Sequence, residues 1–127
     1  MANSAMPDDV RTASVNVFVT KPLEIDEPDW CAGHPDEAPA QYKVDISHDG
    51  PEHVIAPRGR ELFHTSITQA PFSNVDRRIG LYVESIDTIG TYTPDEVEQL
   101  AADLEAAAAE LRTQGLALAR ILHGGQP

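Results

Sequence analysis

The chain has 127 residues, the size of one domain, and contains only three Phe, three Tyr and one Trp, so aliphatic side chains must fill its core. Its formal net charge is −12, with 21 acidic against nine basic residues. This balance argues against nonspecific nucleic-acid binding and against docking on anionic lipid, since both depend on cationic side chains. It favours solubility, or a basic protein partner.

The N-terminal third of the chain is predicted to hold one strand and one long loop. Residues 1–13 are polar and aperiodic, and we interpret them as a flexible tail. Val15, Val17 and Val19 then alternate with other side chains, which is typical of a β-strand. Residues 24–41 contain three prolines and six carboxylates. They predict an irregular loop, because proline removes backbone donors and fixes φ.

Short apolar segments separated by turns predict further strands. Segments with strand-like alternation or β-branched residues lie at residues 42–47, 54–55, 63–67, 79–83 and 86–92. The intervening turns carry Gly and Pro, as in His48-Asp49-Gly50-Pro51. Short strands joined by such turns predict an antiparallel meander whose apolar face needs a cover.

The cover is predicted at the C-terminal end of the chain. Thr93-Pro94-Asp95-Glu96 is a helix start, with Thr as N-cap, Pro at the first helical position and Glu three residues after the cap. An apolar stripe at helical spacing follows, formed by Val97, Leu100, Leu104, Ala107, Ala108 and Leu111. Gly115 is expected to weaken or end the helix, and residues 116–122 to continue it as a second piece or a bent extension.

The sequence therefore predicts an α+β fold, in which an antiparallel β-meander of about five strands is covered by a C-terminal amphipathic helix. We expect a single domain over residues 14–122, between tails at residues 1–13 and 123–127. Every seventh residue from Val97 to Leu118 is apolar, so one interpretation is a homodimer formed through this helix. A helix packed on a sheet gives the same spacing, and that interpretation is preferred.

Cysteine content and the absence of long apolar runs bear on the compartment. Cys31 is the only cysteine, so no disulfide can form within the chain, which suits a reducing compartment. The first nine residues lack the basic and apolar regions of a signal peptide. No apolar run approaches the roughly 20 residues of a membrane span. We therefore expect a cytoplasmic protein.

Cys31, His34, His48 and His53 are the set of side chains that best suggests a binding site. Their spacing is C-x2-H, then thirteen residues, then H-x4-H. Thiolate and imidazole are good Zn²⁺ ligands, and a close pair lets one turn present two ligands to one ion. The set predicts a structural zinc site that fixes the acidic loop to the segment at 42–47. The other interpretation, a small buried Cys with three unrelated surface histidines, is preferred.

Other sequence patterns give little support for a catalytic or ligand-binding site. The chain lacks G-x-S-x-G, G-x-G-x-x-G and Walker-type motifs, and we assign no catalytic residue. Two Arg pairs, Arg58 with Arg60 and Arg77 with Arg78, leave open an anion site. Ion pairing with the many carboxylates of the chain is the preferred interpretation.

Two motifs are distinctive in combination: Pro28-Asp29-Trp30-Cys31-Ala32-Gly33-His34 and His48-Asp49-Gly50-Pro51-Glu52. Together with Ala70-Pro71-Phe72-Ser73 and the helix start at Thr93, they resemble a family of small actinobacterial and actinophage domains of unknown function. The resemblance covers about residues 22–122, and its marks are a Trp-Cys-x-x-His loop and a His-x-Gly-Pro-Glu turn. Some members carry a Cys where Glu27 stands. The resemblance implies a shared fold and a host of that kind, and it supplies no activity.

Two classes of function follow from these observations. The first is a non-enzymatic accessory or protein-interaction domain, whose acidic surface binds a basic protein. The alternative is a small zinc-binding domain with Cys31, His34, His48 and His53 as ligands. An enzyme with a carboxylate or His64 beside a pocket stays open, although no motif supports it.

Overall fold

The computed structural model describes residues 10–17, 19, 21–34, 42–86 and 88–124. Residues 1–9 and 125–127 of the predicted tails, and residues 35–41 of the predicted loop, lie outside the described residues. The fold is α+β, as predicted: an antiparallel four-stranded sheet is combined with one C-terminal helix. Within the described part of the chain, no helix has the length and apolar character that a transmembrane segment requires.

The sheet is built around its longest strand. The strands are β1 (His48–Asp49), β2 (His53–Ile55), β3 (Phe63–Gln69) and β4 (Gly80–Ser85). β1 and β2 lie end to end along one edge of β3, and β4 pairs with the other edge, all antiparallel. Because side chains alternate across a strand, Phe63, Thr65 and Ile67 share one face of β3. Thr65, in the middle of that row, is 1% exposed.

The sheet differs from the predicted meander in two ways. β1 pairs with β3 rather than with β2, so the strand order does not follow the chain. The strand predicted at residues 42–47 is wrong, because Lys43–Asp45 form a 3-10 helix in which the Asp45 N–H donates to the Tyr42 carbonyl at 3.0 Å. The predicted strands at residues 15–19 and 86–92 are not confirmed, since their described residues are not in the sheet. Alternation identifies a segment that suits a strand, but pairing requires a neighbour.

The C-terminal helix, α1 (Pro94–Leu122), starts as predicted. The Thr93 hydroxyl accepts a hydrogen bond from the Glu96 N–H at 3.3 Å, and the Thr93 N–H donates to the Glu96 carboxylate at 2.9 Å. This reciprocal pair is a capping box. The hydrogen bond from the Thr93 N–H also lowers the pKa of Glu96. The helix then continues without interruption through Gly115, where the sequence predicts a weakening or an end.

Gly115→Ala should raise the free energy of unfolding by about 1 kcal/mol, because Gly in a helix interior loses more backbone entropy than Ala. Apart from the adjacent helix backbone, no atom lies within 4 Å of the added methyl group, so the change introduces no clash. Urea denaturation measures the effect, and Ala101→Gly at another exposed position of α1 should lower stability by a similar amount. A loss of stability in Gly115→Ala would contradict a continuous helix at this position.

The core lies between α1 and the face of the sheet that carries Phe63. Ile55, Leu62 and Ala107 are its fully buried apolar residues among those described. Phe63, Leu100 and Leu111 pack against this group and remain partly exposed. The predicted stripe is therefore confirmed for Leu100, Ala107 and Leu111, whereas Val97 is 49% and Leu104 is 42% exposed. Because such a small core contributes limited stability, other interactions matter for the stability of the domain.

One such interaction is an ion pair that joins α1 to the loop after β2. Arg58 donates from Nε and Nη2 to one oxygen of Asp103, at 2.8 and 2.7 Å, and Arg60 lies 3.6 Å from the other oxygen. Asp103 is 5% exposed. Arg58 holds this position with a left-handed φ of 53°. The interpretation of the Arg residues as internal ion-pair partners is confirmed for Arg58 and Arg60, and for Arg78, which pairs with Asp76 at 2.8 Å.

Candidate metal centre

The segment around Cys31 forms a tight turn that is tied to β1. The Cys31 N–H donates to the Pro28 carbonyl at 3.1 Å, and the Ala32 N–H donates to the Asp49 carbonyl at 2.8 Å. Gly33 completes the turn at a φ of +99°, a conformation that favours glycine. These bonds place the thiol of Cys31 and the imidazole of His34 on the side of the turn that faces β1.

Gly50 allows this close approach between the turn and the sheet. The Gly50 N–H donates to the Ile67 carbonyl at 2.8 Å, which places Gly50 beside β3. A Cβ at Gly50 would lie 3.0 Å from the backbone oxygen of Trp30. The Trp30 ring stands edge-on to the ring of His48, with centroids 6.2 Å apart. A larger residue at this position would therefore push the turn away from the sheet.

Four potential ligand atoms converge where the turn meets β1. They belong to Glu27, Cys31, His34 and His48, and all lie within 4.8 Å of one another. The Glu27 Oε1 is 3.1 Å from His34 Nε2 and 3.2 Å from His48 Nδ1. The Cys31 Sγ is 3.8 Å from the same His34 Nε2. We call these four residues the CHHE cluster.

Three of the six ligand-to-ligand distances in the CHHE cluster are close to those of a tetrahedron around a single ion, and the other three are at most 4.8 Å. A Zn²⁺ with bonds of about 2.0 Å to N or O and about 2.3 Å to S holds its ligand atoms about 3.3–3.6 Å apart. The three observed distances, 3.1, 3.2 and 3.8 Å, lie within a few tenths of an ångström of that range. Small side-chain movements are therefore enough to accommodate an ion.

The cluster lies between the sheet and solvent. His48 is 3% exposed and lies at the sheet, whereas Glu27 and His34 open to solvent and offer an entry path. Burial raises the pKa of the Cys31 thiol, and its hydrogen bond to Glu27 raises it further. The backbones of Gly33 and Asp49 act in the opposite direction and lower this pKa. The thiol in turn lowers the pKa of Glu27, with a smaller effect from His34.

Thiolate and carboxylate together would neutralise a divalent ion, while the two imidazoles bind as neutral ligands. The cluster can therefore hold a divalent metal ion.

The structure brings together three of the four ligands predicted from sequence. Cys31, His34 and His48 are in the CHHE cluster, whereas His53 is not. His48 is opposite Gln69 in β3 and His53 is opposite Thr65, four residues away, so the two histidines are about 13 Å apart along the sheet. His53 instead lies 3.8 Å from Glu110 in α1.

Glu27 takes the fourth place, and the sequence analysis did not select it as a ligand. Six carboxylates within residues 24–41 are chemically alike in sequence, and only the fold brings this one to His48.

Comparison with known proteins places the chain in a family without assigning an activity. A family model described as Domain of unknown function (DUF6907) matches residues 12–120. Comparison with curated proteins and with solved structures finds no match.

Proposed function

The chain belongs to the DUF6907 family, and we propose that it is a zinc-binding domain in which the CHHE cluster holds one structural Zn²⁺. The observation that carries this proposal is the convergence of four ligand atoms within 4.8 Å from two separate parts of the chain. Glu27, Cys31 and His34 come from the N-terminal loop, and His48 comes from the sheet. An ion bound by all four would join the two.

The ligand set favours zinc among the common divalent ions. One thiolate and two imidazoles suit Zn²⁺, whereas Ca²⁺ and Mg²⁺ bind almost only oxygen ligands. Four protein ligands fill a tetrahedral coordination shell and leave no position for a substrate or a reactive water. A structural role therefore fits the cluster better than a catalytic one.

The part of the fold that needs such an ion is the N-terminal loop. Its described backbone hydrogen bonds to the sheet are limited to one, from Ala32 to Asp49. The core of the domain contains only three fully buried apolar residues among those described. Because a site of this kind forms only in the folded state, the free energy of metal binding adds to the stability of the domain. Zinc would then hold Trp30 and the turn against β1.

Metal analysis of protein purified without a polyhistidine tag tests the proposal. We expect one zinc per chain after purification from zinc-supplemented medium. Replacement by Co²⁺ should give the intense d–d bands of tetrahedral cobalt and a thiolate-to-cobalt charge-transfer band. Cys31→Ser should remove the charge-transfer band, and His48→Ala should remove metal binding, because each lacks a ligand atom.

His53→Ala is the matched control. His53 lies in β2, which pairs with the same edge of β3 as β1, and it is outside the CHHE cluster. It should retain one zinc per chain and an unchanged cobalt spectrum. A zinc content far below one per chain in the unmodified protein would overturn the proposal. So would a charge-transfer band that survives in Cys31→Ser.

A further inference from the structure

Alternating valines near the N-terminus are left in solvent. Val15, Val17 and Val19 are 76%, 73% and 78% exposed, and their described neighbours belong to no helix or strand. Alternation of this kind is the pattern of a strand with one buried face. Because the family model begins at residue 12, this segment is part of the domain that defines the family. We call the part of the chain around these three residues the valine segment.

The sheet has an unpaired edge at β4, with exposed apolar side chains nearby. Among the described residues, β4 pairs only with β3, so the other edge of β4 presents unpaired backbone N–H and C=O groups. Apolar side chains near this edge of β4 are also left partly exposed. Val83 in β4 is 45% exposed and Leu104 in α1 is 42% exposed. A cavity of about 220 Å³, lined by Phe63, Ile86 and Leu104 among others, lies at the end of β4.

We propose that the valine segment of a second copy of this chain pairs with the open edge of β4, as a fifth strand of the sheet, and that two copies exchange these segments reciprocally. The β4 strand has six residues, which suits the length over which the valines alternate. One face of the added strand would cover Val83 in β4 and Leu104 in α1. Strand addition of this kind combines backbone hydrogen bonds with pockets for alternate side chains.

The distribution of charge favours pairing between two copies of this chain. Residues 10–22 contain Arg11 and Lys21 and no carboxylate, so the rest of the chain is two units more negative than the total of −12. A cationic strand thus meets an acidic body, and Glu84 lies on β4 itself. Every copy carries both the strand and the edge, so two exchanges close a symmetric dimer. The exposure of the valines shows that the strand does not cover the edge of its own chain.

Sedimentation equilibrium of the full-length, zinc-loaded protein tests the proposal. We expect a dimer for the unmodified chain. Val17→Asp places a carboxylate where the added strand would bury it, so the dimer dissociation constant should rise by about 100-fold or more. Val10→Asp makes the same change at a residue that is 74% exposed and outside the alternating set, and it should change the constant by less than about threefold. Far-UV circular dichroism checks that both variants keep the helix.

Three results would overturn the inference. One is a monomer at every concentration with freely exchanging amides in residues 15–17. Another is a monomer in which those amides are protected, since the segment would then pair with its own chain. The third is a dimer that Val17→Asp leaves intact, which would point to another surface such as the row from Val97 to Leu118. In the dimer we expect, hydrogen exchange should slow in the valine segment and on the outer edge of β4 together.

Discussion

Glu27→Cys should tighten zinc binding by about tenfold or more, because thiolate is a softer and stronger ligand for Zn²⁺ than carboxylate. Glu27 is the most exposed contributor to the CHHE cluster, at 43% of its side chain. The shorter Cys side chain requires residue 27 to move toward His48, which its exposed position in the loop permits. Glu27→Gln should act in the opposite direction, since an amide oxygen carries no charge to offset the ion. Competition titration against a zinc chelator measures all three affinities.

Glu24→Cys is the matched control for the added thiol. Glu24 is another exposed carboxylate of the same loop, outside the CHHE cluster. This variant should bind zinc as the unmodified protein does. Equal affinities in Glu27→Cys, Glu27→Gln and the unmodified chain would show that residue 27 is not a ligand. Tight binding in Glu24→Cys as well as in Glu27→Cys would attribute the gain to any extra thiol rather than to position 27.

Features of the fold that depend on residues close in sequence are predictable from the sequence. The capping box of α1 is one example, because Thr93 and Glu96 are three residues apart and satisfy each other's backbone groups. The stripe of Leu100, Ala107 and Leu111 that packs on the core is another, because helical periodicity places these residues on one face. Gly115 shows the limit of this approach. Its propensity disfavours a helix, but the turns on either side keep it helical.

Features that depend on distant partners are not predictable in the same way. The segment at residues 42–47 has the alternation of a strand, yet its amides bond locally in a 3-10 turn, and no strand among the described residues pairs with it. The candidate site follows the same division. The pair Cys31 and His34 is set by one local turn, whereas the fourth ligand depends on strand register. That register separates His53 from His48, and Glu27 is the fourth member of the CHHE cluster instead.

The pairing of Arg58 with Asp103 is also nonlocal, and it provides the second large expected effect. Arg58→Ala should lower the free energy of unfolding by about 2 kcal/mol, because it leaves the buried Asp103 carboxylate without its two shortest hydrogen bonds. The loss should stay below the 3–5 kcal/mol of a fully buried pair, because Arg60 remains 3.6 Å from Asp103. Alanine is the suitable replacement because, unlike glycine, it keeps a Cβ at the left-handed φ of 53°.

A double-mutant cycle separates the ion pair from other effects of the substitution. If the pair itself stabilises the contact between α1 and the loop after β2, Arg58→Ala combined with Asp103→Ala should cost less than the two single changes added together, by about 1 kcal/mol or more. Arg78→Ala is the control, because Arg78 pairs with Asp76 at 2.8 Å in solvent and lowers the pKa of Asp76 to about 2. Exposed pairs of this kind contribute little, so urea denaturation should show no measurable loss for Arg78→Ala. Equal losses in Arg58→Ala and Arg78→Ala, or strictly additive losses in the cycle, would mean that burial of Asp103 gives the pair no special weight. The prediction thus rests on a difference in burial between two ion pairs of the same length, 2.7 and 2.8 Å.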